Sequence, residues 1–175
     1  MTASLRLVAA MALALVACSD GQASNAANSN QTSIAHSATA SELPLTGRVT
    51  DAADILNDSQ EAALTRRLQL LELKTGHQMV VVTVPSLGGE DVAKYTLRLA
   101  NRWGIGRKTF NDGVVLLLAP NERKVRIEVG LGLERTLPDS LCSAIMEKVM
   151  MPKFRIGDLP GGIDAGVTSL IERLQ

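Results

Sequence analysis

Five carboxylates stand where an α/β chain would carry chemistry. Asp51 and Asp54 lie in Val49-Thr50-Asp51-Ala52-Ala53-Asp54, and Asp112 lies in Phe110-Asn111-Asp112-Gly113. Glu128 closes the charged half of an alternating run, and Glu134 follows Gly130-Leu131-Gly132-Leu133. Ligands of open α/β sheets collect at strand ends and the loops beyond them. Carboxylates converging there would offer an all-oxygen set suited to a hard cation such as calcium. The same residues also have plain structural uses. Asp51 and Asp54 can cap the first helix or its preceding turn, and Asp112-Gly113 can make a tight turn. Glu128 can pair with Arg126 or Lys124 on a solvated face. Spacing along the chain does not decide between these readings.

Other chemistries are poorly supplied. Of two histidines, His36 falls in a polar N-terminal tract and His77 just before a strand. A triad therefore has one candidate base, and His77 reads as a structural strand-edge residue. Gly104-Ile105-Gly106 and Gly130-Leu131-Gly132 lack the third glycine and the strand-to-helix setting of a dinucleotide loop. No phosphate-binding GxxxxGK[ST], zinc HExxH, nucleophile-elbow GxSxG or redox CxxC occurs. Cys142, in Leu141-Cys142-Ser143-Ala144-Ile145, reads as a buried inert thiol. Eighteen Lys+Arg balance eighteen Asp+Glu across 175 residues, which argues against a nucleic-acid partner. Aromatics make up 2% of the chain, too few for base-stacking platforms.

The elements that must hold these residues follow from hydrophobic period. Asp58-Ser59-Gln60-Glu61 has capping-box spacing, Leu64, Leu68 and Leu71 form a helical stripe, and Gly76 stops it. Met79–Val84 is a nearly continuous β-branched run ended by Pro85, the pattern of a strand covered on both faces. Val92, Tyr95, Leu99 and Trp103 form a second helical stripe, stopped by Gly104. Val114–Ala119 is another fully apolar strand, Pro120-Asn121-Glu122 a turn, and Lys124–Val129 alternates strictly, which predicts a hairpin. Asp139 is expected to cap a helix bearing Leu141, Ile145 and Val149. Gly161-Gly162 is expected to precede a last helix with Ile163, Val167, Leu170 and Leu174. Strands this apolar need helices on both sides: a three-layer α/β/α sandwich with a mixed central sheet, Rossmann-like, over residues 44–175.

The N-terminus reads as an address. Residues 1–17 join one charge, Arg6, to an apolar run from Leu7 to Ala17, about 16 Å as a helix and too short to span a bilayer. Short h-region and small residues suit a signal peptide. Leu15-Val16-Ala17-Cys18 resembles the lipobox of bacterial lipoproteins, which implies a diacylglycerol on Cys18. Residues 18–43, rich in Ser, Asn and Ala, read as a flexible tether. The expected location is the cell envelope, exported and anchored by lipid, facing the periplasm where an outer membrane exists.

Several blocks together resemble the TPM domain family. They are Gly47-Arg48-Val49-Thr50-Asp51, Lys74-Thr75-Gly76 through Val84, and Trp103-Gly104-Ile105-Gly106. Asn111-Asp112-Gly113 through Leu118, and Val125 through Glu134, complete the series. The resemblance covers 46–165 and implies an α/β/α sandwich. It also implies Asp51, Asp112 and Glu134 as carboxylates near a metal site, with Glu128 as an addition. Plant members are described as calcium-associated acid phosphatases in photosystem repair, and many bacterial members as membrane-anchored envelope proteins. Many of the latter carry a C-terminal transmembrane helix, which is not found before Gln175, so a Cys18 lipid would serve in its place. Two functions follow from the resemblance. The first is a cation-binding accessory module, with an envelope protein as partner, in membrane-protein maintenance. The second is a Ca²⁺-dependent phosphomonoesterase with Arg126 binding phosphate through its planar fork.

Overall fold

The computed structural model describes residues 43–175. The segment expected to be a signal peptide, Cys18 and nearly all of the expected tether lie outside the described residues. Strands β1 (Val49–Asp51), β2 (Gln78–Thr83), β3 (Gly113–Ala119) and β4 (Lys124–Val129) lie in the order β1-β2-β3-β4. The first three run parallel, and β4 returns antiparallel through the expected hairpin. β2 and β3 are continuous apolar runs because both of their faces are covered. Met79, Val81, Val114, Leu116 and Leu118 meet α1 (Asp58–Thr75), α3 (Asp139–Ile145) and α5 (Leu159–Leu174). Val80, Val82, Val115 and Leu117 meet Tyr95 and Leu99 of α2 (Val92–Trp103) on the other face. The sandwich is therefore the three-layer α/β/α form, with a mixed sheet. Leu68, Leu71 and Leu99 are fully buried, each contributing about 2 kcal/mol of transfer free energy.

The chain steps across the sheet in one direction from β1 to β3, yet α1 and α2 cover opposite faces. The two crossovers are consequently of opposite hand, and one departs from the usual right-handed rule. Strand order never reverses among β1 to β3, so there is no switch-point crevice of the dinucleotide-binding kind.

Local chemistry shifts several expected boundaries. The cap of α1 is Asn57, one residue earlier than expected. Its side chain accepts from the Gln60 amide while the Gln60 side chain accepts from its own. Gly76 ends α1 and Gly104 ends α2, both in the left-handed conformation. Asp139 opens α3 without capping it, since Pro138 occupies the cap and no side-chain bond forms there. α3 runs into a π turn (Met146–Met150) and then α4 (Met151–Arg155). Pro152 has no N–H to offer, and the Met151 amide reaches back to the Met146 carbonyl. The helical phase slips there, burying Cys142, Ile145 and Met150 where the sequence pattern points to Leu141, Ile145 and Val149. Gly161 and Gly162 lie inside α5 rather than before it, behind the Asp158 cap. A Cβ on Gly162 would stand 2.2 Å from the Phe154 ring, so α4 packs directly on the bare backbone. Leu43, assigned to the tether by composition, is buried beside α2, and its carbonyl accepts from the Trp103 indole. Among the described residues no helix is long and apolar enough to cross a membrane.

Candidate functional site

Strand register decides which carboxylates can meet. Asp51 pairs with Thr83 at the carboxyl edge of β1 and β2, whereas Gln78 pairs with Gly113 at the amino edge. Five steps along β2 separate Gln78 from Thr83, about 16 Å at ~3.3 Å per residue. Val114 pairs with Val129 of the antiparallel β4, so Glu128 and the loop to Glu134 share the amino edge with Asp112. The structure thus does not bring Asp51 together with Asp112, Glu128 and Glu134.

At the carboxyl edge Asp51 closes the β1–α1 loop. One carboxylate oxygen accepts from the Leu56 amide at 2.7 Å and the other from the Thr83 hydroxyl. Asp54, exposed and with a positive φ of 53°, turns the chain toward α1. The Glu61 carboxyl is pushed up from its ordinary value, by burial first and then by the charges of Asp51, Asp58 and Asp54.

At the amino edge Asp112 is the organising residue. Its carboxylate is almost wholly buried and receives four donors. The Arg107 backbone amide reaches Oδ1 at 2.8 Å, while Arg107 Nε and NH2 reach Oδ2 at 2.8 and 2.5 Å. His77 Nδ1 lies 3.0 Å from Oδ2. Burial alone would raise this carboxyl's pKa. The hydrogen bonds from Arg107 and His77, with the Arg107 charge, outweigh it and hold the group well below the usual carboxylate range. A carboxylate offers about four lone-pair sites, so Asp112 is saturated by its protein partners. Contact with a cation would require Arg107 to leave.

The surrounding loops are stitched together by bonds from backbone amides. The Gln78 side-chain carbonyl accepts from the Gly106 amide, the Gly113 carbonyl from Gly130, and the Asn111 carbonyl from Gly132. A Cβ on Gly113 would lie 2.3 Å from the Ile105 carbonyl oxygen, and one on Gly132 would lie 1.9 Å from that of Phe110. Only glycine permits these approaches. The Arg107 guanidinium, besides binding Asp112, lies 4.1 Å over the Phe110 ring.

Between α2 and this edge opens a cavity of about 340 Å³, lined among others by Leu97, Asn101, Asn111, Glu128, Leu131 and Glu134. Glu128 accepts from Arg126 Nε at 3.0 Å, which turns the Arg126 fork onto its neighbour. Glu134 is exposed and, among the described residues, has no hydrogen-bond or ion-pair partner. Two carboxylates and two side-chain amides make an oxygen-rich lining of the kind hard cations take. Among the described residues no three His, Cys, Asp or Glu side chains group closely enough to hold a metal ion by themselves. Any cation held here would rely on amide, backbone and water oxygens as well. Cys142 is buried, and burial pushes its thiol pKa up, as suits an inert core residue.

The residue that sequence reasoning missed is Arg107, together with the pairing of His77 to Asp112. A signal for the latter exists. His77 directly precedes β2 and Asp112 directly precedes β3, and adjacent parallel strands in register bring such residues side by side.

A mixed sheet flanked by α2 on one face and α1, α3 and α5 on the other, with a glycine-stitched amino edge, defines a particular class of α/β/α sandwich. The chain belongs to the TPM domain family, whose model matches residues 49–173. Among solved structures it is similar to the N-terminal domain of a protein from P. gingivalis. That match has 36% identity and a TM-score of 0.73, covering 78% of this chain and 90% of that one. The N-terminal domain of the cg2496 protein from Corynebacterium glutamicum shares the fold at 18% identity and TM-score 0.59, covering 74% and 81%. The BA42 protein from the psychrophilic bacterium Bizionia argentinensis does so at 16% and 0.59, covering 68% and 81%. No curated protein matches the sequence.

Proposed function

We propose that this TPM domain is an envelope module, held at a membrane by a lipid on Cys18, that docks a protein partner at the amino-edge cleft in membrane-protein maintenance. A divalent cation, Ca²⁺ by its preference for such oxygens, binds between Glu128 and Glu134 and neutralises the cleft for that partner. The observation that carries this reading is the cleft's rim. Leu131 is 71% exposed and Leu97 49%, and both line the cleft that the unpaired Glu134 carboxylate also lines. Large apolar side chains gathered in water around a polar cleft mark a contact surface. The signal segment and tether give such a module its address and its reach from the bilayer.

A phosphomonoesterase is the second reading, and the His77–Asp112 pair is what favours it. A carboxylate on Nδ1 orients the imidazole and leaves Nε2 for a proton transfer to a leaving group. Against it, Arg126 is engaged by Glu128, and Asp51 lies at the other edge. A photo-crosslinking side chain at position 131, in cells, separates the two readings. The expected result is one discrete protein adduct that is absent when the same group replaces Leu73, which is 75% exposed on α1. Identical adducts at both positions, with phosphomonoester hydrolysis abolished by His77→Ala, would replace the module with the enzyme.

A further inference from the structure

A second cavity, of about 410 Å³, opens at the carboxyl edge between the β3–β4 turn and α4. Its floor is the core's own edge. Leu118 is buried, and Val125, Phe154 and Leu159 are partly buried and packed against the core. Its rim carries Arg123, Lys124 and Arg155, all exposed. None of the three has an ion-pair partner among the described residues, and no carboxylate lines the cavity. The nearest acidic residues in sequence are committed elsewhere. Glu122 accepts from the Ser86 hydroxyl and the Leu87 amide, while Asp158 caps α5 and faces Lys153. Glu122 makes these bonds through one oxygen, its other oxygen being buried without a partner. Among the described residues the three cations over the apolar floor have no carboxylate paired to them.

The backbone points the same way. Arg123 holds a φ of +52°, the left-handed region, in the hairpin turn. Glycine or asparagine takes that conformation at lower cost, and hairpin turns of this length ordinarily place one of them there. An arginine in a conformation that favours glycine, with its side chain on a cavity, motivates a functional reading of Arg123. The volume falls in the range of small-ligand pockets, about 300–1,000 Å³, and is too confined for a folded partner.

We propose that this cavity binds a single-chain anionic amphiphile, its acid head on Arg123, Lys124 and Arg155 and its apolar stem on Leu118, Val125 and Phe154. A carboxylate or a phosphate head satisfies the same chemistry: the guanidinium forks of Arg123 and Arg155 bind either planar acid oxygens or phosphate oxygens. The site is independent of the amino-edge cleft, on the opposite edge of the sheet.

The test titrates the full chain with decanoate and with decyl phosphate, beside decanol and inorganic phosphate, by calorimetry below the micellar concentration. Saturable one-to-one binding of at least one of the two acids is expected, and the tighter one identifies the head group. Decanol and inorganic phosphate, each carrying half of the chemistry, are expected to bind at least about tenfold more weakly. Arg123→Gly is expected to weaken acid binding about tenfold, the loss of one charged contact, while leaving the melting temperature unchanged or raised. Arg155→Ala, on the end of α4, gives the same loss without touching the turn. Binding unchanged in both variants, decanol binding as tightly as decanoate, or no saturable binding of either acid would overturn the proposal.

Discussion

Asp112→Asn is expected to lower the unfolding free energy by about 2–3 kcal/mol at neutral pH. Breaking a buried ion pair by removing one partner costs roughly 3–5 kcal/mol when the remaining charge is trapped. Here the Arg107 side chain is 44% exposed, so water can take up part of what the carboxylate gave, and the lower figure applies. The loss has a pH signature. The folded-state pKa of Asp112 is depressed, because hydrogen bonds and charge from Arg107 and a hydrogen bond from His77 overcome the cost of burial. A depressed carboxyl stabilises the fold above its unfolded pKa, about 4, and that contribution is lost as pH falls through the folded value. Urea melts from neutral pH down to about pH 2 check this. The native chain should lose stability steeply below about pH 4, the variant less so, and the two curves should converge in acid. Parallel curves would show that Asp112 contributes by shape alone.

Gly113→Ala is expected to be at least as damaging, about 3 kcal/mol, through a different cause. The added methyl would meet the Ile105 carbonyl oxygen at 2.3 Å, its carbon at 2.6 Å and the Gly106 amide at 2.9 Å. All three are backbone atoms, so no rotamer change relieves the clash, and either β3 or the 104–107 loop must move. Movement of that loop also carries Arg107 away from Asp112 and widens the cleft wall at Asn111. Gly88→Ala supplies the contrast. Gly88 has a positive φ of 62° but open space around its Cβ direction, so strain alone costs about 1 kcal/mol. Denaturation midpoints should fall far more for Gly113→Ala, with the m-value unchanged. Equal falls in the two variants would mean that close approach at the amino edge contributes nothing.

The layered architecture was readable because burial leaves a periodic trace. Val80 and Val81 face different helical layers, and both must be apolar, which is why β2 reads as a run rather than an alternation. Lys124, Arg126 and Glu128 alternate with Val125, Ile127 and Val129 because only one face of β4 meets the main core. The C-terminal helices were less legible. Pro152 signals an interruption, but whether a chain breaks, kinks or absorbs the proline in a π turn depends on packing, here of Met150 against Gly166 of α5. The candidate site was legible as residue types and not as geometry. Loops hold most of its side chains, and loop length says nothing about whether Asp51 and Asp112 end at the same edge. Strand direction says so, since Asp51 ends β1 and Asp112 precedes the parallel β3, and which strands run parallel is not displayed by a single sequence. Arg107 was hidden for a similar reason. An arginine five residues before an aspartate reads as an ordinary surface cation until the Gly106 turn brings its guanidinium back over Asp112 and Phe110.

The most direct measurement for the amino-edge cleft as the functional face is a Ca²⁺ titration followed by backbone amide NMR. Saturable shifts are expected at Asn101, Asn111, Glu128, Gly130 and Glu134, and they should weaken strongly in Glu134→Gln. Shifts confined to Asp51, Asp54, Asp58 and Glu61 at the opposite edge, or none at any concentration, would contradict that assignment.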